Sequence, residues 1–176
     1  RDSFFAKTVP ASKIPARLYL GIAAQGRNMK VMMLKTWLAI LGAGERSYRE
    51  AGGRNNKENP ADPYMTVLGY FNSLRELGGA RRILEEQVQN TIKAYGSRKR
   101  IGEKSGLFRD RKYFSEVVEL TSRVSTDKVA QARRLLESRF HEKKRVDCAI
   151  ATNMISVGLD IPRLGLMVVM GQPKTH

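Results

Sequence analysis

The sequence predicts an α/β domain: a parallel sheet with helices on both faces. Three observations point there. Strand-like apolar runs alternate with segments of helical period, in the order strand, helix, strand, helix, strand, helix, strand, strand. Right-handed crossovers wind that order into a parallel sheet. The polar stretches "YFNS", "LTSRVS" and "ATNMISVGLD" each end or follow a strand, which places all three at the carboxyl edge, where ligands gather in such sheets. At 176 residues and 41% apolar composition, the chain is long enough for one domain with a real core and too short for two comfortable ones.

Residues 1–15 are a lead-in, and residues 16–176 the domain. "ARLYLGIAA" (residues 16–24) follows two prolines and is predicted as a buried strand. In "MKVMMLKTWLAIL", Val31, Leu34, Trp37, Leu38 and Leu41 share one helical face, and Gly42 and Gly44 are expected to stop the helix. By that spacing Trp37 is core, not a base-stacking platform. Residues 44–63, rich in Gly, Asn, Pro and charge, are expected to form a surface loop. "YMTVLGYFN" is the second strand and "SLRELGGARRILEEQVQNTIKAY" the second helix, with Leu77, Ala80, Leu84 and Val88 facing inward. Its Gly78–Gly79 pair lowers helix stability by roughly 1 kcal/mol per glycine, and marks either a close backbone approach or a late helix start.

Residues 93–112 carry eight basic side chains against Glu103 and Asp110, with Gly96, Gly102 and Gly106 interspersed. They are expected to form a flexible basic insertion. "EVVELTSRVS" is the third strand. "TDKVAQARRLLESRFHEKK" is the third helix, capped by Ser125 or Thr126, with Val129, Ala132, Leu136 and Phe140 facing in. "VDCAIAT" and "LGLMVVMG" complete the strands.

Charge bounds the partners. Thirty-two Lys and Arg against seventeen Asp and Glu leave +15 and a pI near 10.3, which points to a polyanion, nucleic acid first. A merely soluble basic domain is the plain alternative. No amphipathic basic helix has an aromatic-rich face, and Lys35 breaks the longest apolar run, so a membrane is not an expected partner. The start "RDSFFAKTVP" lacks the basic-then-apolar order of a secretory signal. The single cysteine, Cys148, excludes a disulfide framework or cysteine metal site within one chain. It is expected to fill core, and the usage fits a reducing cytoplasm.

His141 and His176 have no metal-ligand spacing, and no Ser-His-Asp or Cys-His arrangement is evident. "GSRKRIGEKSG" is not a phosphate loop: five residues separate Gly96 from Gly102, Glu103 interrupts Gly-Lys, and no strand precedes it. Tyr95, Phe108, Tyr113 and Phe114 interleave with basic residues, a pattern that suits single-strand stacking; more often such aromatics anchor a loop.

The block "RRLLESRFHEKKRVDCAIATNMISVGLDIPRLGLMVV" resembles the second RecA-like domain of superfamily 2 helicases, a P-loop NTPase-like fold. Phe140, "CAIAT" and "GLDIP" stand in the order of that family's motif V. "LGYFNSLREL" is similar to motif IV, and "VVELTSRVS" sits where motif IVa lies. The resemblance covers residues 64–172. "NPADPYMTVLGYFNSLRELGGARRILEE", "ATNMISVGLDIPRLGLMVVMGQPKT" and "PARLYLGIAAQGRNMK" further resemble the helicase-like subunit of the bacterial DISARM anti-phage system.

The resemblance implies roles. Thr152 would meet a nucleic-acid phosphate through its hydroxyl or backbone N–H. Asn72, Ser73 and Arg123 are further nucleic-acid-facing candidates. Gly158 would allow close backbone approach or a positive φ, and Asp160 would accept a hydrogen bond from the ribose of ATP. Each position alone could equally cap or brace its own turn; the joint spacing favours function. Val157 precedes the motif V glycine where many relatives carry arginine, which favours a DNA-acting branch over RNA helicases. Asn153 stands where Asp is common, so a carboxylate contact there is not carried over. "TSRVS" echoes motif VI but precedes motif V and lacks the following Gly-Arg.

By the same resemblance the chain is a truncated second lobe, ending before motif VI. ATP and Mg²⁺ belong to the parent protein, and the isolated chain is expected to bind neither tightly and to be inactive alone. The expected partners are DNA rather than RNA, a first RecA-like lobe in the parent chain, and other defence-system subunits. The alternative is a nucleic-acid-binding module that keeps the fold without nucleotide hydrolysis.

Overall fold

Among the described residues, four runs of β-compatible residues pair into one sheet. β1 (Val67–Phe71), β2 (Val118–Leu120), β3 (Cys148–Ala151) and β4 (Met167–Met170) lie in the order β2-β3-β1-β4, every pair parallel. The structure, a computed structural model, describes residues 17–23, 25–99, 101–152 and 161–171.

Period-two alternation divides β1 and β3 between two cores. Val67, Phe71, Cys148 and Ile150 join a cluster with Trp37, Leu41, Leu77, Leu84 and Val88. Leu68, Ala149 and Ala151 join the opposite cluster, with Leu120, Ala132, Leu136 and Ile161. The first face is therefore covered by α1 (Met29–Glu50) and α2 (Leu74–Ile83), the second by α4 (Thr126–Glu137). The crossover from β1 to β2 and that from β2 to β3 run in opposite directions along the sheet. Two connections of the same hand must then use opposite faces, and α2 and α4 do so. The return from β3 to β4 ends on the α4 side, where Ile161 and Leu164 pack.

The inward stripe of the second helix is as the 3.6-residue period predicts: Leu77, Ala80, Leu84 and Val88 are all buried. Past Ile83 the helix continues through a π turn at Leu84–Val88, a single turn α3 (Gln89–Thr91) and a 3-10 stretch at Ile92–Ser97. Cys148 is fully buried, and burial pushes its thiol well above the ordinary cysteine range. It fills core, as expected.

Five expectations are corrected. Residues 17–23 form no strand; Leu18, Tyr19 and Leu20 are 91%, 83% and 79% exposed. An apolar run specifies a strand only where a sheet edge receives it, and none does here. Gly42 and Gly44 do not end α1, which continues to Glu50 through the first third of the expected loop. They are packing glycines: a Cβ on Gly42 would stand 3.1 Å from Tyr95, and one on Gly44 3.0 Å from the Tyr64 carbonyl. Gly78 and Gly79 mark neither a close approach nor a late start, since α2 begins at Leu74 and a Cβ on either would meet nothing within 4 Å.

The fourth concerns the basic insertion at residues 93–112, whose two ends join the core. Phe108 packs on Tyr95 at 4.9 Å, Asp110 accepts the Gly96 N–H at 2.6 Å, and Arg111 is buried. Val129 is only half-buried, and Phe140 packs beyond the end of α4, edge-on to Tyr48 at 5.4 Å.

The glycines give a paired prediction, readable by urea denaturation. Gly69 lies beneath Trp37, whose Cζ2 would stand 2.6 Å from an added Cβ, so Gly69→Ala should destabilise by about 1–3 kcal/mol through overpacking. Gly78→Ala, in an exposed helix interior with open space, should stabilise by about 0.5–1 kcal/mol.

Candidate nucleic-acid interface

Because all four strands are parallel, everything that follows a strand emerges at one edge. Asn72 and Ser73 follow β1, Thr121–Arg123 follow β2, Thr152 follows β3 and Gly171 follows β4. β3 lies between β1 and β2, so Thr152 emerges between the other two turns, one step past the paired couple Tyr70↔Ala151.

Ser73 is the N-cap of α2. Its extended backbone (φ −147°, ψ 154°) turns Oγ back to accept the Glu76 N–H at 3.2 Å. The Glu76 carboxylate accepts the Asn72 N–H at 3.1 Å, a reciprocal arrangement close to a capping box. The Asn72 side chain donates from Nδ2 to the Met170 carbonyl at 3.3 Å, tying the turn after β1 to the end of β4. Gly171, at φ +79°, would bring a Cβ within 3.3 Å of that Nδ2.

Arg123 is exposed and donates from Nη2 to the Leu74 carbonyl at 3.3 Å. The loop after β2 thus reaches across the end of β3 to the first turn of α2. Thr121 is buried and donates its hydroxyl to Glu119 at 2.6 Å. Thr152 is half-buried. The structure therefore gathers Asn72, Ser73, Arg123 and Thr152 on one edge. It also gives Asn72 and Ser73 capping duties and Arg123 a bracing one. Gly158 and Asp160 lie outside the described residues, as do Asn153 and Val157.

The opposite, amino edge holds two buried ionic networks. Arg111, 2% exposed, donates to Asp147 Oδ1 at 2.8 Å and to the Met65 carbonyl at 3.0 Å, with Glu45 Oε2 at 3.5 Å. Asp147 Oδ2 accepts the Ser115 N–H at 2.7 Å, and the Ser115 hydroxyl accepts the Asp147 N–H at 2.8 Å. In the second network Arg163 Nε meets Asp62 Oδ2 at 2.8 Å, and its other nitrogens reach Thr66 Oγ1 and the Leu136 carbonyl. Asp62 Oδ1 accepts the Phe140 N–H at 2.7 Å. Gly165 donates its N–H to the Pro63 carbonyl at 2.9 Å. The segment at residues 163–165 is therefore clamped to the amino edge.

Sequence reading missed these groups. Arg111 lay within a basic run and Asp62 within a polar loop, and neither pattern separates a buried ion from a solvated one. Among the described residues, no group of three or more His, Cys, Asp or Glu side chains is placed to hold a metal, and no helix is long and apolar enough to cross a membrane.

Removing one partner of a buried ion pair leaves the other uncompensated, at about 3–5 kcal/mol. Arg111→Met should lose about that much stability in a denaturant titration. Ser73→Ala, which removes one cap, should lose about 1 kcal/mol.

No protein-family model matches the chain. The chain is 38% identical over 173 residues to the DISARM protein DrmA of Bacillus paralicheniformis. The similarity covers 98% of the chain and 14% of DrmA, so the chain spans only that small share of its curated relative. Every element described above falls within the matched length, and it is this likeness that relates the chain to a DISARM protein.

Proposed function

We propose that this chain is the second RecA-like lobe of an ATP-dependent DNA helicase or translocase acting in DISARM anti-phage defence. The supporting observation is the convergence of Asn72, Ser73, Arg123 and Thr152 on one sheet edge, in a chain similar to DrmA along nearly its whole length.

The edge suits a phosphate backbone. Ser73 Oγ accepts from Glu76, which leaves the hydroxyl proton available for a phosphate oxygen. Arg123 commits one donor to Leu74 and is exposed, so the rest of its guanidinium fork faces solvent. Thr152 offers a hydroxyl and a backbone N–H between them. The +15 net charge attracts the polyanion and makes the encounter salt-sensitive. Few of these contacts read bases, so the lobe holds the strand without selecting sequence.

ATP with Mg²⁺, held between this lobe and a first lobe of the same parent chain, would supply the free energy for opening and closing the cleft. Gly158 and Asp160 are the residues assigned to the nucleotide's ribose side. The sequence holds no Gly-x₄-Gly-Lys-Ser/Thr loop, so this chain alone should hydrolyse ATP no faster than background. Other defence subunits and a cytoplasmic setting complete the proposal.

Thr152→Ala should weaken duplex DNA binding by the chain, measured by fluorescence anisotropy; an unchanged affinity would remove Thr152 from the contact surface. If about five phosphates are neutralised, log K should fall against log[salt] with a slope near −4.5. In the parent protein, Asp160→Ala should raise the KM for ATP more than it alters DNA affinity, and the reverse order would refute the ribose role.

A further inference from the structure

At the amino edge of the sheet, away from the turns assigned above, Arg54, Tyr113, Phe114, Ser115, Lys143 and Arg145 line an open recess of about 420 Å³. Ser115 precedes β2 and Arg145 precedes β3, which fixes the recess on that side. Three of its lining residues are cations and none is a carboxylate. The nearest buried acid is Asp147, which the Ser115 N–H touches and which Arg111 neutralises. Within the described structure none of Arg54, Lys143 and Arg145 forms an ion pair. Arg54 donates to the His141 carbonyl at 3.3 Å, and Arg145 lies over the Phe140 ring at 5.0 Å. The three cations therefore share one recess with no carboxylate at ion-pair distance among the described residues.

The aromatics divide by burial. Tyr95 and Phe108 pack on each other, and Phe114 packs against the core; these three anchor the basic segment. Tyr113 does not, standing 76% exposed on the rim of the recess. A large exposed ring beside three unpaired cations is the arrangement that takes a stacked base and its phosphates. A recess of this volume, within the range of small-ligand sites, has room for a nucleotide unit.

We propose that this recess is a second nucleic-acid contact, in which Tyr113 stacks a base of a single strand while Arg54, Lys143 and Arg145 hold the adjacent phosphates. It shares only the ligand class with the carboxyl-edge reading and stands on different residues. A strand engaged at both edges would lie across the lobe, with duplex or backbone contacts at one edge and an unpaired stretch at the other.

The test is anisotropy with a labelled oligothymidine, using the full chain and a salt titration. Tyr113→Leu should weaken binding by about 5- to 150-fold, the range expected for one lost stacked base, whereas Tyr113→Phe should bind like the original. The triple change Arg54→Gln, Lys143→Gln, Arg145→Gln should reduce the magnitude of the log–log salt slope by about 2, as expected for three fewer contacts on a single strand. Lys143→Glu, at an exposed position, repeats the charge test with little risk to folding. Unchanged affinity and slope in Tyr113→Leu and Lys143→Glu would overturn the proposal. So would displacement of the oligonucleotide by a mononucleotide at equal concentration, or by polyglutamate, since either shows a site for free anions. Loss of binding in Thr152→Ala with no effect from the recess variants would overturn the recess and leave the carboxyl edge standing. The opposite result would do the reverse.

Discussion

The ion pair between Arg111 and Asp147 organises the amino side of this fold. One guanidinium joins the end of the basic segment, the start of β3, the Met65 carbonyl ahead of β1 and Glu45 of α1. Two charges fully removed from water are tolerated only with near-complete compensation. The partners of this guanidinium come from three separate stretches of chain, so the geometry of each constrains the others. The end of the basic segment is thereby tied to the scaffold, with Phe108 against Gly42 of α1 and Asp110 on the helical turn at Gly96.

This division of labour leaves the other edge comparatively unconstrained. At the carboxyl ends the contacts are caps and single hydrogen bonds: Ser73 to Glu76, Asn72 to Met170, Arg123 to Leu74. Arg163 and Gly165 clamp the far end of the connection between β3 and β4 to the amino side. Its near end, at Thr152, stays with the other turns. A rigid scaffold that presents loops at one edge suits binding sites generally.

Legibility in the sequence followed the physics of each signal. Helical period located Leu77, Ala80, Leu84 and Val88 because burial on one face demands that spacing. Strand ends were legible because β1, β3 and β4 are short apolar runs with polar residues after them. Glycine misled at Gly42 and Gly44, since a missing side chain serves close packing as readily as it serves a helix stop, and only the neighbours Tyr95 and Tyr64 decide between them. Apolarity misled at Leu18–Leu20, where no strand edge answers the run. Of the candidate residues, Asn72, Ser73, Arg123 and Thr152 share one edge because parallel topology alone puts them there. The capping roles of Asn72 and Ser73 needed coordinates, as did the buried ions.

The two borders of the sheet are unlike. β2 is three residues long and carries Glu119, which Arg81 meets at 3.1 Å; short, charged borders resist pairing with other chains. β4 reads Met-Val-Val-Met, with Met167 and Val169 half-exposed on the α4 side. Among the described residues β4 is an open border, a kind of edge that can template pairing with another chain, and a net charge of +15 on each copy works against such pairing. Salt shortens the reach of that repulsion to about 10 Å at 0.1 M. Ionic strength therefore weakens the repulsion that keeps this molecule's own copies apart.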